Sequence, residues 1–317
     1  MPIGSRKNWR CIMANVTHMS RVRLHAETAP EAPSRPEYYS EPVADESFGV
    51  VEKPLSRWER LTRIGALRKL FLLVLLALIW EGYARWLDNP LIFPTFLATM
   101  GALFDGIVSG GLLQMSWTSL RVLLVGYGVG ILLASLLTVL AITTRIGTDI
   151  LETMTAMFNP LPAIALLPLA LIWFGLGEAS LVFVLVHSVL WAVALNTHSG
   201  FLSVSPTLKM VGRNYGLRGL RYVFAILIPA AFASILSGLK IGWAFAWRTL
   251  IAAELVFGVS SGSGGLGWFI YQNKNMLEIP SVFAGLFMVI LIGLLVENVV
   301  FSTLERVTVR RWGMQNS

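Results

Sequence analysis

The sequence predicts an all-α integral membrane protein that crosses the bilayer six times. Of its 317 residues, 55% are hydrophobic and only 14% are charged, and the mean hydropathy is +0.68. A typical soluble domain has about 25% charged residues, so this composition argues against a water-facing globule. Long uncharged runs separated by basic loops are the second observation, because a bilayer core of about 30 Å needs about 20 apolar helical residues.

The first two spans follow directly from apolar runs. Residues 70–80 are apolar without interruption, and apolar residues continue beyond Glu81, which predicts a span at about 69–88. Residues 122–142 include no charge and predict a span at 119–142. Each predicted span is long enough to cross the bilayer as one helix.

The third span is expected to be broken. Residues 153–177 carry no charge but contain Pro160, Pro162 and Pro168. Proline removes a backbone donor and clashes with the preceding turn of a helix. We therefore predict a kinked or interrupted helix at 155–176.

Apolar stretches in the second half of the chain predict the remaining spans. The stretch 222–257 is too long for one span, so Pro229 is expected to separate a short approach helix from a full span. The three predicted spans lie at 179–197, 233–257 and 281–303.

The basic residues predict the orientation. Twenty of the 25 Lys and Arg residues fall on one side of the membrane if six spans alternate, and the opposite loops, 89–118 and 258–280, hold only Lys274. Because cytoplasmic loops are enriched in Lys and Arg, both termini are predicted to be cytoplasmic. The net charge of +7 then reflects topology, and no nucleic-acid partner is expected.

Residues 1–55 differ in kind from the rest of the chain. They contain six prolines and many acids, and they lack the apolar run that a signal peptide needs. We predict a disordered cytoplasmic extension there, with an alternative translation start at Met13 or Met19 left open. A transmembrane domain is predicted at 56–313.

Several classes of site are not expected. Cys11 is the single cysteine, which excludes an internal disulfide framework, and no Cys/His cluster suggests a metal site. No P-loop motif and no set of catalytic residues at one depth is present. The GxGxxG match at 262–267 lacks the preceding strand that a dinucleotide site requires and lies between spans, so we interpret it as a flexible turn that allows tight packing.

The cytoplasmic segment 199–232, between spans four and five, is the most informative loop. Pro206 can occupy the first turn of a helix, and Gly216 with Gly219 would end that helix. A short exposed helix flanked by cations could dock into a groove of a partner. The alternative is an ordinary connecting loop whose cations follow the cytoplasmic bias.

This segment resembles the coupling loop of bacterial ABC importer permeases. Gly216 is followed after nine residues by Ile226 and then by Ile228 and Pro229, which is similar to the pattern G-x9-I-x-L-P, although the acidic-Ala-Ala start is poorly matched at 210–212. Other segments resemble the nitrate/sulfonate/taurine/bicarbonate permeases, and these are 159–162, 167–169, 173–175, 246–247, 252–254, 264–268 and 304–312.

The resemblance covers about residues 65–313 and implies a six-helix, MetI-like permease bundle in a bacterial inner membrane. It implies a homodimer in the lipid bilayer with two separate ABC ATPase subunits and a periplasmic substrate-binding protein. ATP and Mg²⁺ would be bound by the ATPase, and this chain would bind no cofactor. The solute would be a small anion such as a sulfonate, taurine, nitrate or bicarbonate.

The resemblance also implies that residues 206–220 form the coupling helix that sits in the ATPase. The residues assigned to ATPase coupling on this basis are Lys209, Gly212, Arg213, Asn214, Tyr215, Gly216, Leu217, Arg218 and Pro229. The coupling helix would link ATP-driven closure of the ATPase to a change between inward-open and outward-open states.

Span five carries a charge near its middle. Arg248 would cost about 2.5–3.5 kcal/mol at the bilayer centre, so a partner is expected. An anionic solute is one candidate, because a guanidinium pairs well with sulfonate or carboxylate. A structural pair with Glu297 or Glu81 is the alternative.

Three other residues of span five join Arg248 as candidate pathway residues. Trp243 and Trp247, four residues apart, lie on one helical face and either flank the solute path or pack against lipid or a helix. Glu254 lies six residues beyond Arg248, off the same face. In span four, His187 is expected to be a hydrogen-bonded structural residue.

The sequence leaves two other functions open. An ABC permease could carry another solute, such as an amino acid, a phosphonate or an aromatic acid. An ion-coupled secondary carrier would bury paired carboxylates in broken helices, and the proline-rich third span has no acid within it.

Overall fold

The computed structural model describes residues 65–108, 110–257 and 264–310. The predicted extension 1–55, Cys11, the first two residues of the 262–267 loop and the end of the domain beyond residue 310 lie outside the described residues. Within the described ranges the regular structure is helical and contains no strand.

The helices are numbered here in chain order. The first five are α1 (Gly65–Leu87), α2 (Phe96–Val108), α3 (Leu112–Thr143), α4 (Arg145–Phe158) and α5 (Leu167–Phe174), with a 3₁₀ turn at Ala163–Leu166 before α5. The others are α6 (Glu178–Ser203), α7 (Pro206–Asn214), α8 (Gly219–Ala230), α9 (Phe232–Phe257), α10 (Leu266–Asn275) and α11 (Ile279–Val309).

Four helices are long and apolar enough to cross a membrane, namely α1, α3, α6 and α11. Two bent pairs have the same properties when each pair is taken as one span. Helix α4 and the segment 163–174 are bent by 88°, and α8 and α9 by 79°. The described chain thus offers up to six spans.

The third predicted span is divided where its prolines stand. The chain leaves helical geometry between Phe158 and Ala163, which contains Pro160 and Pro162. Helix α4 starts at Arg145, ten residues before the predicted span. Thr144 caps this helix by accepting a hydrogen bond from the Gly147 N–H at 2.9 Å. The prediction from sequence missed most of helix α4, because the charged residues in that stretch suggested a loop.

Helix α6 packs against both α3 and α9, and these two helices also contact each other. Two glycines of α3 allow a close approach. A Cβ atom at Gly126 would lie 2.6 Å from the Leu185 Cβ, and one at Gly130 would lie 2.7 Å from the Val189 Cβ. Small residues at such positions are typical of packed membrane helices.

Polar contacts join the ends of the spans. Arg85 Nε lies 2.7 Å from Glu81 Oε1, and the other Glu81 oxygen accepts a hydrogen bond from the Leu97 N–H. Lys240 Nζ lies 2.6 Å from the carboxylate of Glu305, which connects α9 to the end of α11.

Candidate functional site

Helix α7 has well-defined ends. Ser205 Oγ accepts a hydrogen bond from the Leu208 N–H at 3.3 Å, and Pro206 occupies the first turn. At the other end, Gly216 has φ +74°. The Leu217 N–H donates to the Gly212 carbonyl at 3.1 Å and the Gly216 N–H to the Arg213 carbonyl at 2.9 Å. This Schellman arrangement ends the helix and explains why a glycine stands at 216.

Gly212 seats α7 on α8. It is the buried residue of the helix, and a Cβ atom there would lie 3.0 Å from atoms of both Tyr222 and Ile226. Much of the segment around it is uncovered, since Tyr215 is 83% exposed and Leu208, Met210 and Val211 are also exposed. A bare backbone therefore rests on α8 while apolar side chains face outward.

The other coupling candidates differ in their surroundings. Lys209 Nζ donates to the Leu202 carbonyl at 3.1 Å, whereas Arg213, Asn214 and Arg218 are exposed. Leu217 is partly buried. Pro229 lies apart from α7 in sequence, in α8, two residues before the bend at Ala231.

A cavity of about 360 Å³ lies against the broken third span. One wall is the non-helical stretch after α4, and the others come from α6 and α9. Irregular backbone is tolerated at membrane depth when it lines a cavity, so the proline break and the cavity are mutually consistent.

Arg248 is the charged residue that lines this cavity among those that the structure describes. Its side chain is exposed, its Nε donates to the Ala244 carbonyl at 2.9 Å, and its Cζ lies 5.3 Å from the centre of the Phe245 ring. No acid of the described residues lies within ion-pair distance of Arg248. In particular, Glu81 pairs with Arg85.

The other three candidate pathway residues are buried and do not line the cavity. The Trp243 ring centre lies 5.4 Å from that of Tyr127. Trp247 Nε1 donates to the Val289 carbonyl at 3.3 Å. Glu254 is 3% exposed and accepts hydrogen bonds from Ser119 and Gly267. A pathway role for these three residues stays a prediction.

The structure adds residues that sequence reasoning did not select. His187, Ser188 and Trp191 of α6 and Thr249 of α9 all line the cavity. The expectation that His187 is hydrogen-bonded is wrong for the described part of the chain, because both of its ring nitrogens are buried there without a partner. The signal available in the sequence was the spacing of four residues between His187 and Trp191, which places both side chains on one face of a helix.

Up to six apolar spans, a short exposed helix between two of them and a cavity at a broken span together define a membrane transport permease. The family model of the binding-protein-dependent transport system inner membrane component matches residues 126–309. The chain belongs to this family and is a multi-pass inner-membrane permease subunit of an ABC importer. The predicted MetI-like fold and the non-enzymatic role are confirmed. Such systems work with an ATPase and a substrate-binding protein.

The similarity to individual relatives extends over most of the length of each relative. A putative ABC transporter permease protein of Methanocaldococcus jannaschii is 31% identical over 73% of this chain and 86% of the relative. The taurine transport system permease protein TauC of Escherichia coli is 30% identical over 77% and 87%. The nitrate import permease protein NrtB of Synechocystis is 29% identical over 72% and 82%. The predicted resemblance to this subfamily is confirmed.

Proposed function

We propose that the chain imports a small organic or inorganic anion as a homodimer with two ATPase subunits and a periplasmic substrate-binding protein. ATP and Mg²⁺ are bound by the ATPase. The named solutes of two relatives support an anionic group on the solute, since nitrate is an anion and taurine carries a sulfonate. So does Arg248, which lines the cavity without an acidic partner among the described residues.

The proposed orientation places both termini and α7 in the cytoplasm. Lys209, Arg213, Arg218 and Arg221 cluster in and after α7, and cytoplasmic loops are the ones enriched in such residues. An ATPase in the cytoplasm would then meet the exposed face of α7.

The exposed, glycine-seated α7 is the observation that carries the coupling role. Its exposed residues include Tyr215, Met210 and Arg213, and aromatic residues, Met and Arg are the types enriched at protein interfaces. Its inward residue, Gly212, holds the helix against α8, which is joined to span five through the bend. Movement of α7 with the ATPase could therefore be passed to α9, provided that contacts differ between the two states.

Replacing Gly212 by Leu tests this role. The added side chain must displace Tyr222 or Ile226, so α7 should shift from its seat. We expect the amount of ATPase that co-purifies with the permease to fall about tenfold or more, equivalent to about 1.4 kcal/mol. Solute uptake should fall with it, while the amount of protein in the membrane remains similar.

Two further variants separate docking from misfolding. Gly128→Leu is the matched control, because a Cβ atom at Gly128 would meet nothing within 4 Å. Tyr215→Asp changes only an exposed side chain and should also reduce co-purification. Normal ATPase association and normal uptake in both Gly212→Leu and Tyr215→Asp would exclude α7 as the coupling helix.

A further inference from the structure

The cavity beside Arg248 has two chemically different parts. Arg248 supplies an exposed guanidinium, while the aromatic rings of Trp191 and Phe245 supply apolar surface. The Trp191 ring is held in place, because its centre lies 5.5 Å from that of Phe158 with only 11° between the ring planes. A charged group and a fixed aromatic wall thus lie in one cavity.

Two residues that line the cavity also carry polar atoms with no hydrogen-bond partner among the described residues. Trp191 is 8% exposed, and its Nε1 is buried and makes no hydrogen bond within the described residues. Both ring nitrogens of His187 are in the same condition. A buried donor without an acceptor costs about 1–3 kcal/mol, so groups of this kind call for an explanation. These nitrogens are closed to the cavity in this structure, so a ligand would reach them only if the side chains moved.

Size separates two kinds of anion. A volume of about 360 Å³ lies in the range of about 300–1,000 Å³ that organic ligands occupy. A bare oxyanion of four or five atoms would fill a small part of this space and would leave Trp191 and Phe245 uncovered. An anion with a planar apolar body could fill it and cover both rings.

We propose that this cavity is a solute site of the permease itself for organic sulfonates or carboxylates that carry a planar apolar body. The anionic head lies at Arg248, because a guanidinium donates two parallel hydrogen bonds to such groups. The body packs against Trp191 and Phe245 as aromatic pairs do. This inference rests on the proposed function as an anion importer and names the class of anion.

Binding to the purified permease–ATPase complex, containing the full chain and no substrate-binding protein, tests the proposal. Isothermal titration with benzenesulfonate, taurine and nitrate compares a planar apolar body, a short polar body and no body. We expect benzenesulfonate to bind about tenfold or more tightly than nitrate. Arg248→Gln should weaken the binding of every anion that binds.

Variants of the aromatic wall show whether the body is recognised. Trp191→Leu should weaken benzenesulfonate about tenfold and leave nitrate almost unchanged. Phe245 is at a more exposed position, and Phe245→Leu should also weaken the binding of benzenesulfonate. This variant replaces Trp191→Leu in the test if Trp191→Leu does not fold. Trp117→Leu is the control, because Trp117 is 62% exposed and does not line the cavity.

The outcomes distinguish this inference from the proposed function. If nitrate or taurine binds through Arg248 at least as tightly as benzenesulfonate, the class of anion is wrong and anion import stands. Equal loss of nitrate and benzenesulfonate in the wall variants would likewise overturn the inference. If none of the anions binds and Arg248→Gln leaves uptake of the solute unchanged, anion import fails, and the inference fails with it.

Discussion

Two of the ionisable side chains of helix α9, Arg248 and Glu254, lie six residues apart in opposite surroundings. The Glu254 carboxylate is buried, and Ser119 Oγ donates to it at 2.7 and 2.8 Å while the Gly267 N–H donates at 2.8 Å. Arg248 is exposed to a cavity and bonds only to a carbonyl of its own helix among the described residues.

The surroundings of Glu254 form a closed network. Ser119 Oγ also accepts a hydrogen bond from the Leu266 N–H at 2.8 Å, so α3, α9 and the start of α10 are joined. A Cβ atom at Gly265 would lie 2.2 Å from Glu254 Oε1, and therefore only a bare backbone fits over the carboxylate. The described part of the glycine loop thus packs tightly, as its composition predicted.

The difference shows that charge within a span does not by itself identify a functional residue. A buried carboxylate whose oxygens are occupied by fixed donors has little capacity left for a solute. An exposed guanidinium that lines a space of organic-ligand size retains that capacity. The hydrogen-bond partners therefore separate a structural charge from a candidate binding group.

The largest expected effect on stability is that of Glu254→Ala. It leaves Ser119 Oγ and the Gly267 N–H without their acceptor in a buried site, at about 1–3 kcal/mol for each group. We expect the free energy of unfolding to fall by about 2–5 kcal/mol. The thermal unfolding midpoint of the purified complex measures this, and an unchanged midpoint would show that the network is not structural.

A smaller loss is expected for Ser119→Ala. The substitution removes one donor to Glu254 and the acceptor of the Leu266 N–H, which should cost about 1–3 kcal/mol. Ser135→Ala is the matched control, since its hydroxyl is exposed and bonds to the Ile131 carbonyl of its own helix. It should change stability by less than about 0.5 kcal/mol. Equal midpoints for the two variants would contradict the comparison.

The smallest effect on stability is expected for Arg248→Gln. No ion pair within the described ranges is lost, and a charge costly to place at mid-span is removed, so the unfolding midpoint should stay the same or rise slightly. Uptake of the anionic solute should nevertheless fall about tenfold or more. A fall in the midpoint as large as that of Glu254→Ala would instead make Arg248 structural.

Much of the fold could be predicted from local sequence. The length of an apolar run is enough to indicate a span, and the proline-rich stretch between Phe158 and Ala163 correctly predicts the break in the third span. The ends of α7 follow from Pro206 and Gly216, because proline suits a first helical turn and glycine tolerates the positive φ. These features depend on residues close together in the chain.

The sequence alone thus determined the membrane class, the apolar stretches that can cross a bilayer, the break after Phe158 and the short helix between spans four and five. The tertiary structure decided which polar groups already have a hydrogen-bond partner. Ser119 lies 135 residues from Glu254, yet its hydroxyl occupies that carboxylate, and Trp191 reaches the Arg248 cavity from another helix. Hydrogen-bond partners and cavities arise from contacts between distant residues, and no local pattern of apolar and charged side chains encodes them.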